Sequence, residues 1–125
     1  EGEDVSKLRT SAPVVLRELV AKLEAAFNIE ASAARLNLYV TNADFKPLHT
    51  DRGRDSKGVP QVTVALSLGA TRELSLVHWQ TSLTMSFPLN NGDVFAFTPE
   101  LNRVFMHGVP SVDELFASRG PRISL

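Results

Sequence analysis

The chain holds three histidines, His49, His78 and His107, and two of them stand where they could bind a metal. His49-Thr50-Asp51 reads His-x-Asp. In an extended segment residues i and i+2 point to one face, so this spacing aims an imidazole and a carboxylate at the same point. A third ligand from another strand completes a two-histidine, one-carboxylate face. Such a face leaves adjacent metal positions open and suits a non-haem Fe(II) oxygenase. His107 is the better third ligand. It lies 56 residues after Asp51, in an apolar run that ends in Gly108, Val109 and Pro110. His78 adjoins Trp79 near a hairpin end and reads as a rim residue.

A lone His-x-Asp is weak. Followed by about fifty residues of strand pattern, a histidine, and then Arg122, it is much stronger. A dicarboxylate co-substrate would bind the metal at one end and need its far carboxylate neutralised at the other. A guanidinium fork matches a carboxylate, so Arg122 suits that task. Taken alone, Arg122 reads as a surface charge on a closing strand. In Arg122-Ile123-Ser124-Leu125, Arg122 and Ser124 share a face.

The elements that must position these residues are legible in outline. Residues 11–28 carry the one strong helix signal, with Ser11 as cap and Pro13 in the first turn. Val15, Leu19, Leu23 and Phe27 recur every four residues, and Leu16 and Val20 widen the stripe. The pattern predicts an amphipathic helix laid on a core. After Ala34 the period changes to two. Leu36, Leu38 and Val40 alternate with Asn37, Tyr39 and Thr41, and Val62, Val64, Leu66 and Leu68 with Thr63, Ala65 and Ser67. Leu74 and Leu76, then Leu83, Met85 and Phe87, continue the alternation. The turn Asn90-Asn91-Gly92-Asp93 precedes Val94–Phe97, and 102–109 and 122–125 read as the last strands. One helix and then seven or eight short strands predict a mainly β domain, a double-stranded β-helix of the jelly-roll kind. An immunoglobulin-like sandwich has a similar size but fits the leading helix poorly.

Composition narrows the function. A chain of 125 residues is one domain by length. We expect a tail over 1–10, a support helix over 11–28 and a β-core over 34–125. Hydrophobic residues are 43% and charged residues 22%, which argues against disorder. With no cysteine, a disulfide scaffold, a thiolate nucleophile and a thiolate-bound metal are excluded. Thirteen basic and fourteen acidic side chains give a net charge of −1, which excludes bulk-charge binding of nucleic acid. The charge is uneven, however. Residues 1–30 sum to −2, whereas 46–72 sum to +3 through Lys46, Arg52, Arg54, Lys57 and Arg72 against Asp51 and Asp55. No apolar run approaches a membrane span. The opening EGEDVSKLRT is not a signal peptide, and a soluble intracellular protein is expected. No Gly-x-Ser-x-Gly elbow and no His-x-x-x-His pair occur, which disfavours a serine hydrolase and a helical zinc site.

Several motifs together resemble the AlkB-like Fe(II)/2-oxoglutarate-dependent dioxygenases. Asn37-Leu38-Tyr39 resembles their Asn-x-Tyr, and Ser67-Leu68-Gly69-Ala70-Thr71-Arg72 their Ser-Leu-Gly-Ala-x-Arg strand. Asn91-Gly92-Asp93-Val94 resembles the turn before the distal histidine. His107-Gly108-Val109 and Arg122-Ile123-Ser124-Leu125 resemble the closing segments. The likeness runs from about Phe27 to Leu125, in order and with approximate spacing kept. It implies Fe(II) held by His49, Asp51 and His107. It implies 2-oxoglutarate chelating the iron, with its far carboxylate held by Tyr39 and Arg122, helped by Ser124, and with Asn37 near the iron end. O2 would take the last position. Oxidative decarboxylation to succinate and CO2 would hydroxylate a substrate C–H, and an N-methyl group would leave as formaldehyde. Methylated DNA or RNA is the implied substrate.

Three departures bear on that substrate. The acidic residue that repair members place just after His-x-Asp is missing, since Arg52-Gly53-Arg54-Asp55 follows Asp51. The ten residues before the helix are too few for a nucleotide lid, and a second arginine would fall beyond Leu125. Two other readings therefore stand beside the first. One is the same chemistry on a protein side chain or small molecule. The other is a metal-free β-barrel binding module with His49 and Asp51 as surface residues. Oligomeric state and compartment stay open.

Overall fold

The switch from a four-residue to a two-residue hydrophobic period falls where helix gives way to strands. The computed structural model describes residues 3–4, 11–52, 57–113 and 120–125. The elements are β1 (Glu3–Asp4), α1 (Val14–Phe27), β2 (Ala33–Ala34), β3 (Asn37–Tyr39), β4 (Lys46–His49), β5 (Thr63–Gly69) and β6 (Arg72–His78). Then come β7 (Thr84–Leu89), β8 (Val94–Phe97), α2 (Pro99–Val104), β9 (Phe105–Val109) and β10 (Arg122–Ser124). Of the expected tail, Glu3–Asp4 pair with Ala33–Ala34, and the rest lies outside the described residues. No described helix is long and apolar enough to cross a membrane.

Helix α1 forms where its period predicts. Its N-cap is Pro13, not Ser11, and no side chain caps it. The Pro13 carbonyl instead accepts from Leu16 and Arg17 N–H. The helix stops at Asn28, which turns left-handed at φ 50 and donates its N–H to the Glu24 carbonyl. Its half-buried stripe is Leu16, Leu19, Val20 and Leu23, while Val15 and Phe27 are exposed. A strict four-residue repeat drifts off a 3.6-residue helix, which leaves its two ends outside. No α1 residue is fully buried, so the expected close seat on a core is not observed.

The β-core is two four-stranded antiparallel sheets, β3-β10-β5-β8 and β4-β9-β6-β7. Successive strands alternate between the sheets except at the β6–β7 hairpin. This winding is the jelly-roll double-stranded β-helix expected from the sequence. The sheets meet through Tyr39, Leu66 and Phe97 on one side and Leu74, Leu76, Leu89 and Val109 on the other, all buried. In β6, Arg72, Leu74 and Leu76 take alternate inward positions, as a half-buried strand requires. The expected turn at 90–93 is present. Asp93 accepts from Asn90 N–H at 2.7 Å, and Gly92 takes φ 88.

Two elements differ from expectation. In β3 the burial is inverted: Tyr39 is buried, whereas Leu36, Leu38 and Val40 are exposed. Residues 99–104 form α2 rather than the start of a strand. Thr98 caps it by accepting from Leu101 N–H, Pro99 occupies its first turn, and β9 begins only at Phe105.

Candidate active site

Strands β4 and β9 bring two histidines side by side. His49 pairs with His107 in register, and their ring centroids are 4.4 Å apart. The β4 register shifts between Lys46 and His49, a bulge that re-aims the strand end. Gly108 makes this possible. A Cβ there would lie 2.7 Å from the Lys46 carbonyl and 3.1 Å from Leu48 N, so only glycine lets β4 pass so close. His49 Nδ1 lies 2.8 Å from the Pro47 carbonyl. A carbonyl can only accept, so Nδ1 carries a proton, and a metal would take Nε2 once that nitrogen gave up its own. His49 Nε2 and His107 Nε2 each lie 3.5 Å from Asp51 Oδ1. The three ligand atoms lie within 4.8 Å of one another.

Asp51 is held by three hydrogen bonds from two side chains. Thr63 Oγ1, at the start of β5, donates to Asp51 Oδ2 at 2.8 Å. The Asn102 carboxamide accepts from Asp51 N–H at 2.9 Å and donates to the Asp51 carbonyl at 2.8 Å. Hydrogen bonds from His107, then His49, and next Thr63 hold the Asp51 carboxyl far below the usual carboxylate range against its burial. The bond to Asp51 in turn raises His49 above an ordinary histidine. His107 is buried against the Phe97 ring at 4.7 Å, and its Nδ1 has no hydrogen-bond partner among the described residues.

The neighbouring sheet builds a second polar cluster. Register sets Ser124 opposite both Asn37 and Ser67, and Arg122 opposite both Tyr39 and Gly69. Alternation turns both rows to the same face. Gly69 sits at φ 91, where a Cβ would run into the Pro121 carbonyl, so β10 closes tightly on β5. The Arg122 guanidinium is buried and lies 5.0 Å from the Tyr39 ring centroid. Its Nη2 donates to Ser67 Oγ at 2.9 Å, while Nε and Nη1 are buried with no partner among the described residues. Burial pushes Arg122 below its ordinary value and Tyr39 above its own, with the Arg122 charge opposing the latter shift. Two orphaned donors on a buried cation favour an anionic partner.

Each candidate named from the sequence falls into one of these clusters. His49, Asp51 and His107 meet at one point, and Asn37, Tyr39, Arg122 and Ser124 share the inward rows. His78 stays apart. It packs edge-on against Phe105 and accepts from Gln80 and Thr81 N–H in the β6–β7 turn. Thr63, Ser67 and Asn102 join the site without a role legible in the sequence. Ser67 lay inside a quoted motif. Asn102 was hidden by reading 102–109 as a strand, although Thr98-Pro99-Glu100 carries a cap, a first-turn proline and an acidic first turn.

The donor set fits a borderline divalent transition metal such as Fe(II). With bonds of about 2.1 Å, neighbouring donors around an octahedral ion stand about 3 Å apart, close to the Nε2–Oδ1 separations here. Thr63 occupies Oδ2 and leaves Oδ1 to bind alone. The orphaned nitrogens of Arg122 fit a carboxylate. Residues 3–125 match the family model described as the 2OG-Fe(II) oxygenase superfamily. No curated protein matches the chain.

Proposed function

The chain belongs to the 2OG-Fe(II) oxygenase superfamily. On that premise we propose that it is an AlkB-like enzyme that oxidatively demethylates or hydroxylates an alkylated nucleic-acid base. The observation that carries the catalytic part is the convergence of His49 Nε2, His107 Nε2 and Asp51 Oδ1. When bound, Fe(II) and 2-oxoglutarate supply the O2-dependent oxidation of a substrate C–H.

The chain supplies position. His49 and His107 would offer Nε2 to the metal, the first oriented by its Nδ1–H to Pro47. Asp51 offers one oxygen because Thr63 holds the other. Arg122 would receive the far carboxylate of 2-oxoglutarate on its unpartnered donors, with Nη2 also tied to Ser67. Tyr39 walls that end, and Asn37 and Ser124 line the adjoining row. No separate acid or base is needed.

The substrate reading is supported by local charge. Arg52 follows Asp51, Arg103 follows Asn102, and both are exposed. Exposed cations bordering a metal site suit phosphates. Arg54 and Asp55 of the same basic stretch lie outside the described residues.

The test is formaldehyde release from N-methylated oligonucleotides with Fe(II), 2-oxoglutarate and O2. We expect release by the wild type and none by His49→Ala or Asp51→Ala. Succinate formed with methylated peptides, and none with oligonucleotides, would move the substrate to protein. An anaerobic metal-to-ligand charge-transfer band that persists in both variants would remove the triad assignment.

A further inference from the structure

We infer that Asn102 is a positioning residue that fixes the peptide of Asp51 and thereby sets the affinity and geometry of the metal face. The inference rests on the reading of Asp51 as a metal ligand. Strand β4 ends at His49, so no strand pairing holds the Asp51 peptide. Both of its backbone groups go instead to one side chain, the Asn102 carboxamide, at 2.9 and 2.8 Å. A carboxamide carries a donor and an acceptor on one plane, as a peptide does, so it imitates a neighbouring strand. With the peptide held by Asn102 and Oδ2 held by Thr63, the Asp51 side chain has both ends pinned, and Oδ1 is aimed at the two histidines.

Asn102 is also placed to keep the ligands in step. It sits in α2, which runs directly into β9, the strand that delivers His107. One rigid segment therefore positions His107 through its backbone and Asp51 through a side chain. Helix propensity does not explain this residue, because asparagine is a weak helix former in a helix of six residues.

The test measures Mn(II) affinity and the Mn(II) electron paramagnetic resonance line shape in the full chain. Variants are Asn102→Ala and Asn102→Asp, with Thr98→Ala as control. Asn102→Asp keeps the acceptor for Asp51 N–H but sets an oxygen against the Asp51 carbonyl. Loss of such an outer partner weakens metal binding by about 10- to 100-fold. We expect that loss and an altered line shape in both Asn102 variants, with the metal-free circular dichroism unchanged. Thr98→Ala removes the α2 cap without touching Asp51. It should lower the unfolding temperature and keep the wild-type affinity and line shape. If either Asn102 variant fails to fold, the other is read alone. If neither folds, Asn102 is structural and the inference falls. Wild-type affinity in a folded Asn102 variant overturns it, and so does an equal loss in Thr98→Ala. An Asp51→Ala variant that binds Mn(II) as the wild type does would instead reject the ligand assignment beneath it.

Discussion

At the scale of single residues, the chemistry was written in rare residue types. Three histidines in the chain and one His-x-Asp leave few ways to build a metal face, so His49, Asp51 and His107 could be named from spacing alone. Their supports could not. Thr63, Ser67 and Asn102 are common polar residues whose partners are 12, 55 and 51 positions away, a separation that leaves no local pattern. Removing the Arg122 guanidinium should raise the 2-oxoglutarate requirement while the metal is retained. A charged hydrogen bond is worth about 1.5–3 kcal/mol, so Arg122→Ala should cost roughly 10- to 100-fold in the half-saturating co-substrate concentration. Succinate formation against 2-oxoglutarate concentration measures it, and an unchanged value would reject the anchor. Ser67→Ala should move the same quantity in the same direction and by less, because it frees Nη2 and leaves the guanidinium in place.

At the scale of elements, the sequence was informative where period and burial agree, as in β5 and β6. It misled where function overrides the pattern. The alternation in 36–40 points leucines inward, yet the structure buries Tyr39, because its ring is wanted beside the buried Arg122. β4 has no alternation to read, since Lys46-Pro47-Leu48-His49 is shaped by a bulge and by Gly108 across from it. Gly108→Ala should force β4 away from β9. Overpacking of this kind costs about 1–3 kcal/mol. We expect a lower unfolding temperature together with weaker Mn(II) binding; a stability loss with full metal affinity would show that the close approach does not set the site. The turn that links β3 to β4 has its own signature. Asp44 accepts from Val40 N–H at 2.8 Å and Thr41 N–H at 2.7 Å, and these bonds hold its carboxyl below the ordinary 3.8. Its contribution is therefore complete above that value and is lost as pH falls through the lowered one. The Val40 and Thr41 amide resonances should titrate with a midpoint below 3.8. A midpoint at or above it would show that the turn does not depend on the ionised carboxylate.

At the scale of the whole molecule, the two sheets are joined by a cation as well as by their apolar faces. Arg72 of β6 is buried; its Nη2 donates to the Asp44 and Pro110 carbonyls at 2.6 Å each, and its guanidinium lies 5.5 Å from the Tyr39 ring centroid. It thus ties the β3–β4 turn, the end of β9 and the other sheet to one side chain. A lysine ammonium lacks the planar face that Arg72 turns to Tyr39 and the second nitrogen that reaches the Thr41 carbonyl. Arg72→Ala should cost about 3 kcal/mol or more from the two short charged hydrogen bonds, read as a fall in the denaturant midpoint, and an unchanged midpoint would refute the bracing role. The net charge of −1 gains a meaning at this scale too, since it conceals exposed cations beside the candidate metal mouth. β10 does not lie at a sheet edge but is inserted between β3 and β5, pairing Arg122 with Tyr39 and with Gly69. During synthesis, β3 must therefore wait for more than eighty residues before its neighbour exists. Contacts so distant in sequence form slowly. The nascent chain is committed to leaving this sheet open in the middle until residues 122–124 emerge, and the strand that carries Arg122 is then the stroke that closes it.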